Sequence, residues 1–124
     1  MKRTVLFLLT SLAALAAAPR DASSATLAAG YTHTVVIKTS NGSVWCWGAN
    51  SFGQLGDSST TQRKTPVQAG TLTGVIAVAA GANHTLALKS DGTVWAWGYN
   101  LYGQLGDGTS GAGANKNAPA VRAN

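Results

Sequence analysis

The sequence predicts an all-β fold made of two four-stranded antiparallel units, each of the kind that forms a β-propeller blade. Three observations carry this reading. Residues 30–57 recur as residues 81–107, with Gly30 matching Gly81 at an offset of 51 and Trp45 matching Trp95 at an offset of 50. Repeats near this period mark solenoids, propellers or arrays. Each copy also holds two short β-forming runs joined by Asn41-Gly42 or Asp91-Gly92, a strong hairpin signal. The composition agrees: Gly and Trp are abundant, charged residues make up only 10%, and every acidic residue is Asp, as suits a turn-rich β protein.

The chain begins differently. Lys2 and Arg3 precede an apolar stretch from Val5 to Ala18, and small residues follow at Ala16-Ala17-Ala18 and Ser23-Ser24-Ala25. Basic start, short apolar core and small-residue exit make a secretory signal peptide, assigned to residues 1–24. A cut after Ala16, Ser24 or Ala25 fits equally. The apolar stretch is too short to span a bilayer comfortably, so no stable membrane span is expected once it is removed.

Residues 25–70 are expected to form the first repeat and residues 71–124 the second. In the second, Val75–Ala80 reads as a buried strand ended by Gly81. His84–Lys89 and Thr93–Trp97 follow as a hairpin across Ser90-Asp91-Gly92, whose Asp-Gly suits a type I′ turn. Trp95 and Trp97 share one face and Val94 and Ala96 the other, because strand side chains alternate. The first copy repeats this with Thr34–Lys38 and Ser43–Trp47. One extra residue before its turn predicts a bulge or a longer loop. A weaker fourth strand is expected near Pro66-Val67-Gln68 and near Pro119-Ala120-Val121, since proline suits an edge strand or a strand start.

The charges exclude some partners. Without Lys2 and Arg3, seven basic and four acidic residues remain if Arg20 and Asp21 are kept, a net +3. Only Arg63 and Lys64 are adjacent, whereas nucleic-acid binding needs clustered Lys and Arg. No nucleic-acid partner is expected. Cys46 is the only cysteine, so it makes no internal disulfide. Between Trp45 and Trp47, and replaced by Ala96 in the second copy, it reads as a small buried strand residue.

Candidate chemistry is thin. His33 and His84 recur at equivalent positions, with no Cys or carboxylate cluster beside them to complete a metal site. They read as structural histidines hydrogen-bonded within their own blades. Asp57 and Asp107 end the Gly-Gln-Leu-Gly-Asp strings and read as turn caps. Gly48 and Gly98 read as backbone positions in a tight loop, in which Gln54 and Gln104 bond buried main chain. No catalytic residue, metal or cofactor is expected. Positions that differ between copies are less bound by blade structure, which makes Tyr31, Tyr99 and Leu101 candidate exposed partner contacts. Phe52 and Tyr102 match in kind and are assigned to the blade.

The string Asp91-Gly92-Thr93-Val94-Trp95-Ala96-Trp97-Gly98-Tyr99-Asn100-Leu101-Tyr102-Gly103-Gln104-Leu105-Gly106 closely resembles the repeat of the regulator of chromosome condensation family. The first copy carries the same pattern, with Asn41, Trp45, Trp47, Gly48, Asn50 and Gln54 in place. The preceding Gly-x-x-His-Thr, at Gly30/His33 and Gly81/His84, also matches. The resemblance covers everything after the signal segment and implies blades of a seven-bladed propeller. It further implies work by binding. The founding eukaryotic member is an exchange factor for a small nuclear GTPase and binds chromatin, and one exported bacterial relative inhibits β-lactamases. Two repeats stand where seven are expected, and two blades leave edges and apolar faces open. The chain is therefore either a fragment of a longer propeller, the preferred reading because lone blades are poor units of stability, or a subunit that assembles into a ring.

Together these features predict an exported bacterial, non-enzymatic repeat protein, secreted or periplasmic, that binds a protein partner through its propeller loops. A secreted inhibitor of the β-lactamase-inhibitor type, a GTPase exchange factor or chromatin binder, and last a hydrolase or lyase are the rivals.

Overall fold

A computed structural model describes residues 26–123; the signal-peptide reading of residues 1–24 lies outside them. The described chain forms eight strands: β1 (Leu27–Ala29), β2 (His33–Lys38), β3 (Ser43–Gly48), β4 (Arg63–Gln68), β5 (Val75–Ala80), β6 (His84–Lys89), β7 (Val94–Gly98) and β8 (Lys116–Ala123). They make two four-stranded sheets, ordered β1-β2-β3-β4 and β5-β6-β7-β8, with every neighbouring pair antiparallel. Each sheet is a blade. β1 has only three residues and no alternation to announce it, and both fourth strands extend beyond their prolines.

The central hairpins pair as their alternation dictates, with Val35 opposite Cys46 and Leu86 opposite Ala96. The turns differ from expectation. A type I′ turn needs positive φ at both central residues, yet Gly42 and Gly92 are positive (67° and 87°) while Asn41 and Asp91 are not. In the second blade Gly92 N donates to Lys89 O and Lys89 N to Thr93 O, both at 3.0 Å. That is a three-residue loop ending in a left-handed glycine. In the first blade Lys38 pairs with Ser43 without a bulge. The extra residue sits wholly in the loop, where Gly42 N reaches Lys38 O at 2.8 Å.

The Asn and Asp before these glycines act through their side chains. Asn41 Oδ1 accepts from Ser43 N (3.1 Å), and Asp91 Oδ1 from Thr93 N (2.9 Å). The Ser43 and Thr93 hydroxyls then accept from the indole N–H of Trp45 and Trp95, each at 3.0 Å. Each turn thus orients the first tryptophan of its returning strand.

The core lies between the blades. Val35, Ile37, Val44 and Cys46 line the forward face of the first blade. Val78, Ala87 and Trp97 of the second meet them, with Leu55, Ala69 and Leu72 filling the ends. Packing large apolar side chains across this seam is what either blade alone lacks. Burial, with the charge of Asp57 adding to it, pushes the Cys46 thiol up to about 12. At neutral pH it stays protonated and inert.

Candidate functional site

Two loops of each blade meet at one end of the fold. His33 pairs with Gly48 and Ala49 N donates to Thr32 O (2.9 Å), so the β1–β2 loop lies beside the start of the β3–β4 loop. His84, Gly98, Tyr99 and Asn83 repeat this in the second blade. Four loops therefore make a rim. The Tyr31 amide ties the first to its neighbour through Ala82 O at 3.1 Å.

The long loops are held by side chains acting on backbone. Buried Asn50 accepts from Leu55 N (3.0 Å) and donates to Asp57 Oδ1 (3.1 Å) and Thr61 O (3.0 Å). Gln54 Oε1 accepts from Phe52 N at 2.9 Å. The second copy repeats the clamp: Asn100 takes Leu105 N (2.9 Å) and gives to Asp107 Oδ1 (3.2 Å), and Gln104 takes Tyr102 N (3.0 Å). Leu55 and Leu105 are driven into the interior as anchors. Such closed networks make a loop rigid without strand pairing.

Asp57 is fully engaged here. Burial alone would raise its pKa, but hydrogen bonds from Ser59, Arg63 and Asn50 outweigh that and hold it below the usual carboxylate range. Arg63 Nε lies 2.9 Å from Asp57 Oδ2, and Lys116 Nζ lies 3.9 Å from Asp107 Oδ2. Both carboxylates serve their own loops.

The histidines depart from expectation. The His33 ring does not bond within its blade; its Nε2 meets Thr85 Oγ1 of the next blade at 3.0 Å. Thr85 Oγ1 donates onward to Gln54 O (2.9 Å), which also accepts from Trp97 Nε1 (2.9 Å). Because Thr85 gives its only proton to Gln54, His33 Nε2 is the donor in this bond. His33 Nδ1 has no partner among the described residues. A second ring proton would be buried unpaired, and burial followed by the charge of His84 holds the His33 pKa below its ordinary value. The Gly-x-x-His spacing follows from packing, since a Cβ at Gly30 or Gly81 would collide with the imidazole three residues on.

The rim is aromatic. Tyr31 is 84% exposed, as the copy comparison suggested. Tyr99 and Leu101 are half-buried instead. Phe52 of the first blade packs edge-on against Tyr99 of the second with centroids 4.6 Å apart, and Tyr102 meets Tyr99 at 6.3 Å. Tyr102, assigned to the blade by its match with Phe52, is 82% exposed. The reason is positional: Phe52 has a following blade to lean on, and Tyr102 has none among the described residues.

At the opposite end a cleft of about 420 Å³ lies between the inter-blade linker and β8, lined by Leu72, Trp95 and Pro119 among others. The Lys89 ammonium sits 5.7 Å from the Trp95 ring centre, and this cation–π contact closes one side of it. None of the sequence-predicted contacts reaches it.

Known proteins share these features. The family described as "Regulator of chromosome condensation (RCC1) repeat" matches residues 41–88 and 91–121, and a second profile of the same description matches 25–54 and 75–104. Protein RCC2 of Mus musculus is 42% identical over 58 residues, 45% of this chain and 11% of that protein. Prp20p of Saccharomyces cerevisiae, whose binding to Gsp1p and histones has been characterised, superposes with a TM-score of 0.67 at 30% identity. That match covers 77% of this chain and 22% of Prp20p. Human WBSCR16 superposes at 0.66 and 29% identity, over 77% of this chain and 24% of its own. The chain thus spans about a tenth of the RCC2 length and under a quarter of either solved propeller.

Proposed function

This chain belongs to the regulator of chromosome condensation repeat family, and on that premise we propose that it is an exported, non-enzymatic protein that binds a protein partner through its aromatic rim. The carrying observation is the pair of outward tyrosines, Tyr31 and Tyr102, displayed on loops that internal hydrogen bonds hold in place. Rigid aromatics give large contact area at small entropic cost and dominate binding hot spots. Support for a binding role also comes from the groups that chemistry would need. Asp57 and Asp107 are committed to their loops, and the Cys46 thiol is buried and protonated. Export rests on the Lys2-Arg3 start and the Val5–Ala18 stretch.

A photo-crosslinking residue at position 102 should capture a defined protein from the extracellular or periplasmic fraction. The same residue at Asp91, exposed in the turn at the opposite end, should not. Equal capture at both positions, or none at 102, refutes the rim. β-lactamases and penicillin-binding proteins belong in the bait panel.

The likeness to Prp20p supports a second reading, binding of a small GTPase or of histones. Recovery of the unprocessed chain inside the cell, with crosslinks to such a partner, would favour it over export.

A further inference from the structure

We propose that the cleft at the end opposite the rim is a binding site for a small aromatic carboxylate, held between apolar walls and anchored by the Lys89 ammonium. This goes beyond the rim, and neither reading depends on the other.

The site is complete within the seam between the two blades. One wall is the linker from β4 to β5, through Thr71, Leu72 and Thr73; the other is the second blade, through Lys89, Trp95 and Pro119. Ala87 and Trp97 of the same strands face the first blade in the core, and alternation along a strand turns Lys89 and Trp95 the same way. A bare glycine lets the linker pass close to β8: a Cβ at Gly70, whose φ is 54°, would lie 3.2 Å from Pro119 Cδ. The volume of about 420 Å³ falls within the ~300–1,000 Å³ that small-molecule sites occupy.

The seam is tight at one tryptophan and open at the other. Trp97 is fully enclosed and bonded to Gln54 O. Trp95, two residues earlier on the same face, is only half-buried although both blades stand beside it. Its indole N–H is already given to Thr93 Oγ1 at 3.0 Å. What it offers the cleft is therefore carbon surface, to which buried Leu72 and half-buried Pro119 add.

Lys89 gives an independent argument. Its side chain is only 24% exposed, yet its ammonium makes no hydrogen bond among the described residues. Asp91 Oδ2 lies 3.8 Å away, beyond hydrogen-bond reach, and Asp91 Oδ1 is spent on Thr93 N and Thr93 Oγ1. The Trp95 ring, 5.7 Å from Nζ at its centre, attracts the cation without taking its protons. An ammonium has three N–H donors, and here they stand unused at the side of an apolar cleft.

These features select a ligand class. The unused donors call for an anion, because charge-assisted hydrogen bonds are the strong ones, and the same charge repels cations. Of the lining residues only Lys89 is charged, which matches a monoanionic carboxylate better than a phosphate. The Thr71 and Thr73 hydroxyls can bond its second oxygen. A slot walled by Leu72, Trp95 and Pro119 suits a flat apolar group attached to that carboxylate.

The test is calorimetric titration of the full chain with 1-naphthoate and with 1-naphthamide and 1-naphthylmethylamine, which keep the ring and change the charge. Octanoate keeps the charge and removes the ring. Naphthoate should bind one to one, naphthamide and octanoate about tenfold more weakly, as loss of a charged hydrogen bond or of ring contact implies, and the amine not at all. Lys89→Met keeps the apolar stem and should weaken naphthoate about tenfold while leaving naphthamide unchanged; Lys89→Arg should restore the preference. Ala118→Leu, which fills the cleft from β8, should weaken both ligands together. Near-ultraviolet circular dichroism checks each variant's fold, and Lys89→Met decides if Ala118→Leu does not fold. No saturable binding of 1-naphthoate below about 1 mM overturns the proposal. So does equal affinity for naphthoate and naphthamide, octanoate binding as tightly as naphthoate, or a Lys89→Met chain that keeps the wild-type preference.

Discussion

The two blades carry nearly the same residues and use them differently. The His33 ring reaches across to Thr85, while the His84 ring has no hydrogen-bond partner among the described residues. Gln54 is enclosed, and its carbonyl receives two donors from the next blade; Gln104 is partly open. Within a blade the copies are interchangeable: the Asn50 and Asn100 clamps agree bond for bond at their Leu and Asp ends. Sequence sets what a position does inside its repeat. Place in the array sets whether its outward contacts are made.

The largest test of that difference is the second tryptophan. Trp97→Ala should destabilise the fold by ~3–5 kcal/mol, as removal of a buried large aromatic does, with Gln54 O also losing a donor. Trp47→Ala should cost less than half as much in the monomer, because its ring is half-buried there. Equal losses in urea melts would erase the distinction between seam and outer face.

The paired glycines give a smaller contrast. Gly56 and Gly106 have φ of 71° and 69°, so alanine at either incurs the same left-handed strain, about 1–2 kcal/mol. Gly56→Ala adds a collision with the Trp97 indole, and overpacking of this kind costs about 1–3 kcal/mol more. Similar melting temperatures for the two variants would mean that the indole yields freely.

The smallest contrast is in pH. His33 is held below its ordinary value of 6.5, first by burial and then by the charge of His84; His84 is lowered by burial. The unfolded chain thus binds protons more readily than the folded one. Stability should be full above 6.5, fall as pH drops through that value, and level off below the folded pKa values. His33→Gln should flatten the fall more than His84→Gln does, since only His33 lies in the seam. Melting temperatures between pH 7.5 and 5 measure this, and identical slopes for the two variants would remove His33 from the account.

Much of this architecture was legible in the sequence. The hairpin strands alternate cleanly, and Asn41-Gly42 and Asp91-Gly92 mark their turns, so β2, β3, β6 and β7 could be placed. Leu27–Ala29 could not, because three residues are too few for a period. The turn type was misread because a dipeptide does not reveal loop length: with three or four loop residues, only the glycine needs positive φ. At the rim, comparing copies anticipated that Tyr31 is exposed but assigned the exposed Tyr102 to the blade. A match between copies shows shared structure within the repeat, and exposure depends on what stands next to it. The His33–Thr85–Gln54 relay was hidden for the same reason, since its members lie 52 and 31 residues apart in different copies.

One oxygen atom has a further consequence. The Gln54 carbonyl belongs to a loop that Asn50 holds closed from within the first blade, and it receives both Thr85 and Trp97 from the second. Loosening that loop withdraws the acceptor from two donors at once, and loss of Thr85 strips His33 of its partner. Fraying at one place is thereby transmitted across the whole molecule. The pair of blades should open as a single cooperative unit, with amides of both sheets exchanging at a common rate.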